Sequence, residues 1–177
     1  LTATGSQLFS QLPATVASDP RNGDSFGDSL AAGDFDGDDI CDLVIGVPGD
    51  FNVILPGVVH FGGAVHVLFG TANGLRTTRA QYWQRDGPGV IGAGTDGGYF
   101  GAVLSSGDYN GDGRTDLANG LMQLSISGHP SAGAVHVMYG AGNQGLTAIG
   151  DQLWHQDVAG IANAAEDHDQ IGRSLVQ

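Results

Sequence analysis

Lysine is absent from the 177 residues, and all six positive charges are Arg. Glutamate is almost absent as well: Glu166 is the single Glu among 19 acidic residues. Charged residues make up 14 % of the chain, against roughly 25 % in an ordinary soluble domain. With a net charge of −13, the chain has too little cationic surface to neutralise phosphates, which excludes nucleic acid as a partner. The same deficit excludes an anionic membrane surface. No apolar run approaches the ~18 residues of a spanning helix. No basic segment followed by an apolar stretch occurs, so no signal peptide is expected within these residues. Cys41 is the single cysteine, which rules out an internal disulfide framework. Its acidic neighbours disfavour a thiolate, so it is a poor nucleophile.

What the chain has instead is Asp and Gly. There are 31 glycines, about two and a half times average usage. Asp and Gly favour turns and cation-binding loops over helices, which excludes a helical bundle or coiled coil.

Internal repeats organise the rest. Gly63-Ala64-Val65-His66-Val67-Leu68-Phe69-Gly70 returns as Gly133-Ala134-Val135-His136-Val137-Met138-Tyr139-Gly140, an offset of 70. Phe26-Gly27 and Gly33-Asp34-Phe35-Asp36-Gly37-Asp38 return at an offset of 74 as Phe100-Gly101 and Gly107-Asp108-Tyr109-Asn110-Gly111-Asp112. A third series places Gln7, Gln81 and Gln152 each two residues before Phe9, Trp83 or Trp154. Each Gln lies 19 residues before Phe26, Phe100 or Ile171, and a Gly follows each of these. The chain divides into units 1–74, 75–145 and an incomplete 146–177, and Leu1-Thr2-Ala3 aligns with Leu146-Thr147-Ala148.

Each unit reads as four short strands separated by Asn, Asp and Gly turn signals. In the second unit the strands are expected at Gln81–Gln84, Ala102–Gly107, Asp116–Leu121 and Ala134–Tyr139. Four strands per ~70-residue unit predict an all-β β-propeller with one blade per unit. Two blades are expected between Ala31 and Trp154, with partial flanking strands at Gln7–Phe9 and Arg173–Val176.

The chemistry sits in the loop 34–42 and its copy 108–116. The first places Asp34, Asp36, Asp38 and Asp42 at positions 1, 3, 5 and 9, and the second places Asp108, Asn110, Asp112 and Asp116 there. Short oxygen-bearing side chains at alternating positions converge on one point, as a hard cation with six to eight ligands at ~2.3–2.6 Å requires. The main-chain carbonyls of Ile40 and Arg114, at position 7, are candidates for a further oxygen. An EF-hand needs a bidentate Glu at position 12, but Ile45 and Asn119 stand there. Metal-free, Asx-rich turns are the rival reading. The repetition of the loop and the mutual repulsion of its carboxylates favour a cation. Neither loop contains His, which disfavours zinc and copper. Calcium suits the site better than magnesium, which demands a stricter octahedron. Two Ca²⁺ sites are expected.

At these residues the chain resembles the FG-GAP repeat, the blade unit of integrin α-subunit propellers and of many secreted bacterial proteins. Phe26-Gly27 and Phe100-Gly101 match the first half of the name, Gly46-Val47-Pro48 stands for Gly-Ala-Pro, and the Asp-rich loop lies between. The resemblance implies an integrin-α-type, seven-bladed ring with calcium loops near the blade edges, secreted or at the cell surface, used for adhesion or ligand binding. Two departures stand out. Gly120-Leu121-Met122 replaces Gly-x-Pro, and Asp39 occupies position 6 where the second loop has Gly113.

Other constellations have plainer explanations. His66 and His136 are equivalent positions of adjacent units, which suits repeated packing better than a shared metal. His155, Asp157, Glu166, Asp167, His168 and Asp169 read as a solvated acidic turn. Phe9, Trp83 and Trp154 read as core anchors. Ser105, Ser106 and Ser174 lie in no Gly-x-Ser-x-Gly elbow, and Gly92-Ala93-Gly94 lacks the strand–helix context of a phosphate loop. No catalytic group is therefore assigned. Two functions remain: a non-catalytic calcium-binding propeller module for extracellular adhesion or recognition of a protein or glycan, and the accessory propeller of a secreted hydrolase or lyase whose catalytic part lies elsewhere. Further blades, or further copies of the chain, are expected to complete the ring, because a lone pair of blades leaves sheet edges and apolar flanks uncovered.

Overall fold

Ten strands form among the residues that the computed structural model describes, 5–11, 20–55, 58–92 and 98–176. They are β1 (Leu30–Gly33), β2 (Asp42–Val47), β3 (Phe51–Leu55), β4 (Val58–Phe61), β5 (Ala64–Phe69), β6 (Arg76–Gln84), β7 (Val103–Gly107), β8 (Asp116–Gly120), β9 (Val135–Gly140) and β10 (Leu146–Trp154). The one helical element among them is a single 3-10 turn, Gly142–Gln144. No helix among the described residues is long and apolar enough to cross a membrane. The stretch Leu1-Thr2-Ala3 and the residues Ala93 and Gly94 lie outside the described residues.

The strands build two four-stranded antiparallel sheets, ordered β1-β2-β5-β6 and β7-β8-β9-β10. This is the meander of a propeller blade. Strands β2, β5 and β8 are almost wholly buried, so the apolar residues of β2 and β5 run on without strict alternation. One core joins the two sheets, with Val44, Val65, Val67 and Phe69 from the first against Leu104, Leu117 and Met138 from the second.

Three features depart from the sequence reading. The strand expected at Gln81–Gln84 is the end of the longer β6, which completes the first sheet although it opens the second sequence unit. Two further strands, the hairpin β3–β4 between β2 and β5, pair with each other and with no other strand among the described residues. Gln7–Phe9 and Arg173–Val176 carry no strand pairing with the described residues. Gln7 nevertheless works as part of a repeated clamp. Its Nε2 donates to the Leu75 carbonyl at 2.8 Å, and its Oε1 accepts from the Leu75 N–H at 2.9 Å. Gln81 does the same to Leu146, at 2.9 Å in both directions. The recurring Gln is thus a side-chain bracket on the opening of the next fourth strand.

The Phe-Gly landmarks dock the chain that enters the next unit onto the sheet before it. Phe100 forms a parallel bridge with Gly63, and Ile171 forms the same bridge with Gly133. Ser29 Oγ donates to the Gly101 carbonyl at 2.6 Å. The third copy of the landmark, Ile171-Gly172, therefore docks on the second sheet as Phe100-Gly101 docks on the first. Replacing Pro48 by Met122 leaves the following turn unchanged: Asp50 N–H donates to the Val47 carbonyl at 3.1 Å, and Leu124 N–H to the Leu121 carbonyl at 3.0 Å.

Candidate metal centre

Both acidic loops connect the first two strands of a sheet, and both fold by the same hydrogen bonds. Asp34 accepts from the N–H groups of Gly37, Asp38 and Asp39 at 2.7, 3.0 and 2.8 Å. Asp108 accepts from those of Gly111, Asp112 and Gly113 at 2.7, 3.1 and 2.9 Å. At position 5, Asp38 accepts from Ile40 N–H and Asp112 from Arg114 N–H, both at 2.9 Å. The last position opens β2 or β8 and ties the loop to the far end of the sheet. Asp42 accepts from Phe35 and Gly70 N–H at 2.9 and 2.8 Å, and Asp116 from Tyr109 and Gly140 N–H at 2.9 Å each. Position 6 needs a left-handed backbone, which Gly113 supplies at φ 86° and Asp39 at φ 64°. Asp tolerates that region better than most side chains.

The loops differ in how they bring carboxylates together. In the first, oxygens of Asp34, Asp36 and Asp42 lie within 4.8 Å of one another. Among the described residues this is the one such group of three. Asp38 stands apart from it, turned to Ile40. In the second loop Asn110 holds position 3, its Oδ1 accepting from Asp112 N–H at 2.8 Å, and no three carboxylates converge. Residues 108–114 are exposed, whereas Phe35 and Asp36 are buried. The first loop owes its cover to the second sheet: Thr115 N–H donates to the Asp34 carbonyl at 3.0 Å, and Asp34 N–H to Thr115 Oγ1 at 3.1 Å. Tyr109, the counterpart of buried Phe35, is 47 % exposed.

Electrostatics make the first cluster unfavourable on its own. Burial, then the charges of Asp38 and Asp34, push the Asp36 carboxyl above its usual range; Arg79 and Arg76 oppose this. Burial also pushes Asp42 and Asp116 up, against the N–H groups they accept from. The N–H of Arg114 holds exposed Asp112 down. Asp36 is only 3 % exposed, and its Oδ1 is buried with no hydrogen-bond partner among the described residues. A buried carboxylate oxygen without a donor calls for a cation or a proton. Hard oxygen donors around that orphaned atom fit a hard divalent ion. Protons compete for the same oxygens, so metal affinity falls as the pH is lowered.

The histidines are packing residues. Phe26 and His66 have ring centroids 5.7 Å apart, and Phe100 and His136 repeat the contact at 5.8 Å. Both imidazoles are buried. His136 Nε2 lies 2.7 Å from Asp151 Oδ2, and Tyr82, stacked on His66, donates to Asp50 at 2.6 Å. No sequence spacing signals either partner. Burial pushes His66 down to about 4, so the folded state prefers it neutral. The unfolded chain binds the proton first as the pH falls, and stability is lost between about pH 6.5 and 4. His66→Phe should flatten that part of the pH profile, by about 3 kcal/mol between pH 7 and 4, in urea melts at the two pH values.

The remaining candidates are also structural. Asp157 accepts from Ser127 Oγ at 2.6 Å and Ala165 N–H at 2.9 Å, and Glu166 N–H donates to Asp169 at 2.8 Å. His129 pairs with Asp167 at 2.9 Å. These bonds fold residues 155–170 over the loop after β8. Phe9 and Trp83 pack against the core, but Trp154 is 40 % exposed.

Two blade-like meanders, each opening on an Asp-rich loop, define a repeat protein of the β-propeller class. Residues 26–68 and 100–138 match the FG-GAP repeat, so the chain carries two copies of that repeat. It is also 30 % identical over 113 residues to the phosphatidylinositol-glycan-specific phospholipase D of Bos taurus. The aligned part is 64 % of this chain and 13 % of that protein, so the chain spans a small fraction of its relative's length.

Proposed function

We propose that this chain is a non-catalytic, calcium-binding segment of an extracellular β-propeller, used for adhesion or for recognition of a protein or glycan. Asp34, Asp36, Asp38, Asp42 and the Ile40 carbonyl hold one Ca²⁺. Asp108, Asn110, Asp112, Asp116 and the Arg114 carbonyl hold the other. The observation that carries the reading is the Asp36 oxygen, buried with no partner among the described residues, inside a loop whose hydrogen-bond pattern recurs 74 residues later. Two ions would bring the net charge from −13 to −9. Calorimetric titration of chelator-stripped protein should give two Ca²⁺ per chain. Asp36→Ala should abolish the binding at the first loop and leave one. A stoichiometry of zero for the unsubstituted protein overturns the metal reading.

A second reading has its own support: the phospholipase D is an enzyme, and the chain aligns with only 13 % of it. On that reading the propeller is the accessory part of a secreted enzyme, positioning a catalytic domain encoded beside it. The open reading frame in the native source discriminates the two, since a flanking hydrolase or lyase domain favours the second.

A further inference from the structure

Arg79 stands in β6 at φ 80°, in the left-handed region that a side chain disfavours. Its counterpart in β10 is Gly150, at φ 77°. The two positions match in register as well as in angle. Each falls within the irregular stretch of its strand pairing, between Arg76 and Gln81 opposite Phe69 and Val67, or between Thr147 and Gln152 opposite Tyr139 and Val137. One copy of the repeat therefore meets this backbone demand with glycine, and the other holds an arginine there. Residues kept in a sparsely populated conformation point to a use for the side chain.

Three groups lie against the guanidinium of Arg79 among the described residues. Nη1 lies 4.0 Å from Asp36 Oδ2, the group sits 5.3 Å over the Phe69 ring, and Nη2 donates to the Asn143 carbonyl in the 3-10 turn of the second sheet. Asp36 is, with Asp42, one of the two buried members of the acidic cluster, and Arg76 adds a second positive charge near it. The second copy lacks both halves of the pair. Position 3 of its loop is the uncharged Asn110, and a Cβ on Gly150 would meet nothing within 4 Å. Charge and counter-charge are present together in one copy and absent together in the other.

We propose that Arg79 is the built-in counter-ion of the first metal loop: it neutralises Asp36 when no ion is bound and gives that carboxylate up to the divalent ion, so that it lowers the loop's calcium affinity. The proposal rests on the calcium reading above for its second half alone. An arginine so placed lets a four-carboxylate loop stay folded without metal. It also repels the incoming ion, since both charges are positive.

The test compares Arg79→Gln, Arg79→Gly and Arg79→Lys in the full chain. Calcium is titrated calorimetrically in the Asp112→Ala background, which removes a carboxylate from the second loop and leaves the first loop to be read. Arg79→Gly copies Gly150 and so keeps the backbone conformation. Both charge-removing variants should tighten calcium binding about fivefold, while Arg79→Lys stays near the parent value. A parallel set of melts in chelator compares Arg79→Gln, Asp36→Asn and the double variant. Arg79→Gln should lower Tm, and lower it markedly less once Asp36 is Asn. Unchanged or weaker calcium binding in both charge-removing variants, or strictly additive effects in the melts, overturns the proposal. Should the parent protein take up no calcium at the first loop, the metal reading fails and the melts alone decide: coupling upholds the counter-ion pair, and additivity removes it.

Discussion

Gly46→Ala and Gly120→Ala should each cost about 3 kcal/mol or more in urea or thermal unfolding. A Cβ on Gly46 would lie 1.9 Å from the Gly101 carbonyl oxygen and 2.3 Å from Ser29 Oγ. A Cβ on Gly120 would lie 1.9 Å from the Gly172 carbonyl oxygen. The nearest obstruction is backbone, so no rotamer change relieves it, and the docked segment, Phe100-Gly101 or Ile171-Gly172, must move away from the sheet. Gly62→Ala is the control, because its Cβ would come no nearer than 3.9 Å to Arg85 Cβ. It should change stability by no more than about 0.5 kcal/mol. Equal effects at Gly46 and Gly62 would show that the close approach of the two segments is wrong.

Chelating calcium from the loaded protein should lower Tm by about 10 to 20 °C. A ligand at 100 times its Kd stabilises the folded state by about 2.7 kcal/mol per site. For a chain of this size, each kcal/mol moves Tm by about 2 to 4 °C. The sign comes from the first loop, where Asp34, Asp36 and Asp42 crowd their oxygens within 4.8 Å and repel one another unless a cation lies between. Scanning fluorimetry with and without chelator measures the shift, and magnesium should restore less of it than calcium. An unchanged Tm would leave the loops as metal-free turns.

Much of this is readable in the residues because the backbone demands particular ones. Three strands of the second sheet, β7, β8 and β9, fall where the repeat and its Gly–Asp turns place them. The left-handed sixth position of each loop admits Gly113 or Asp39 and few others. The clamps of Gln7 and Gln81 show in the sequence as a repeat, though their role does not. What stays hidden depends on distance or on context. Arg79 faces Asp36 across 43 positions of sequence, and nothing about an arginine announces a positive φ. The hairpin β3–β4 escapes a sequence reading because Phe51–Phe61 is almost continuously apolar around Pro56-Gly57, with little alternation to mark two strands. The unpartnered oxygen of Asp36 appears only once the second sheet covers its loop.

The hand-over of β6 has a consequence for how such a chain grows or is divided. The unit that repeats in sequence and the unit that pairs hydrogen bonds are out of phase by one strand. A protein cut at the sequence boundary, residues 75–145, would contain β6 without its sheet and the second sheet without β10. Duplicating that same stretch in a gene has the opposite outcome. The strand carried in at its start closes the sheet before it, and the next copy supplies the strand that its own sheet lacks. Whole units are thus easy to add to a lineage and hard to isolate in a test tube, and a fragment meant to fold alone should be cut after Trp154 and not at the repeat.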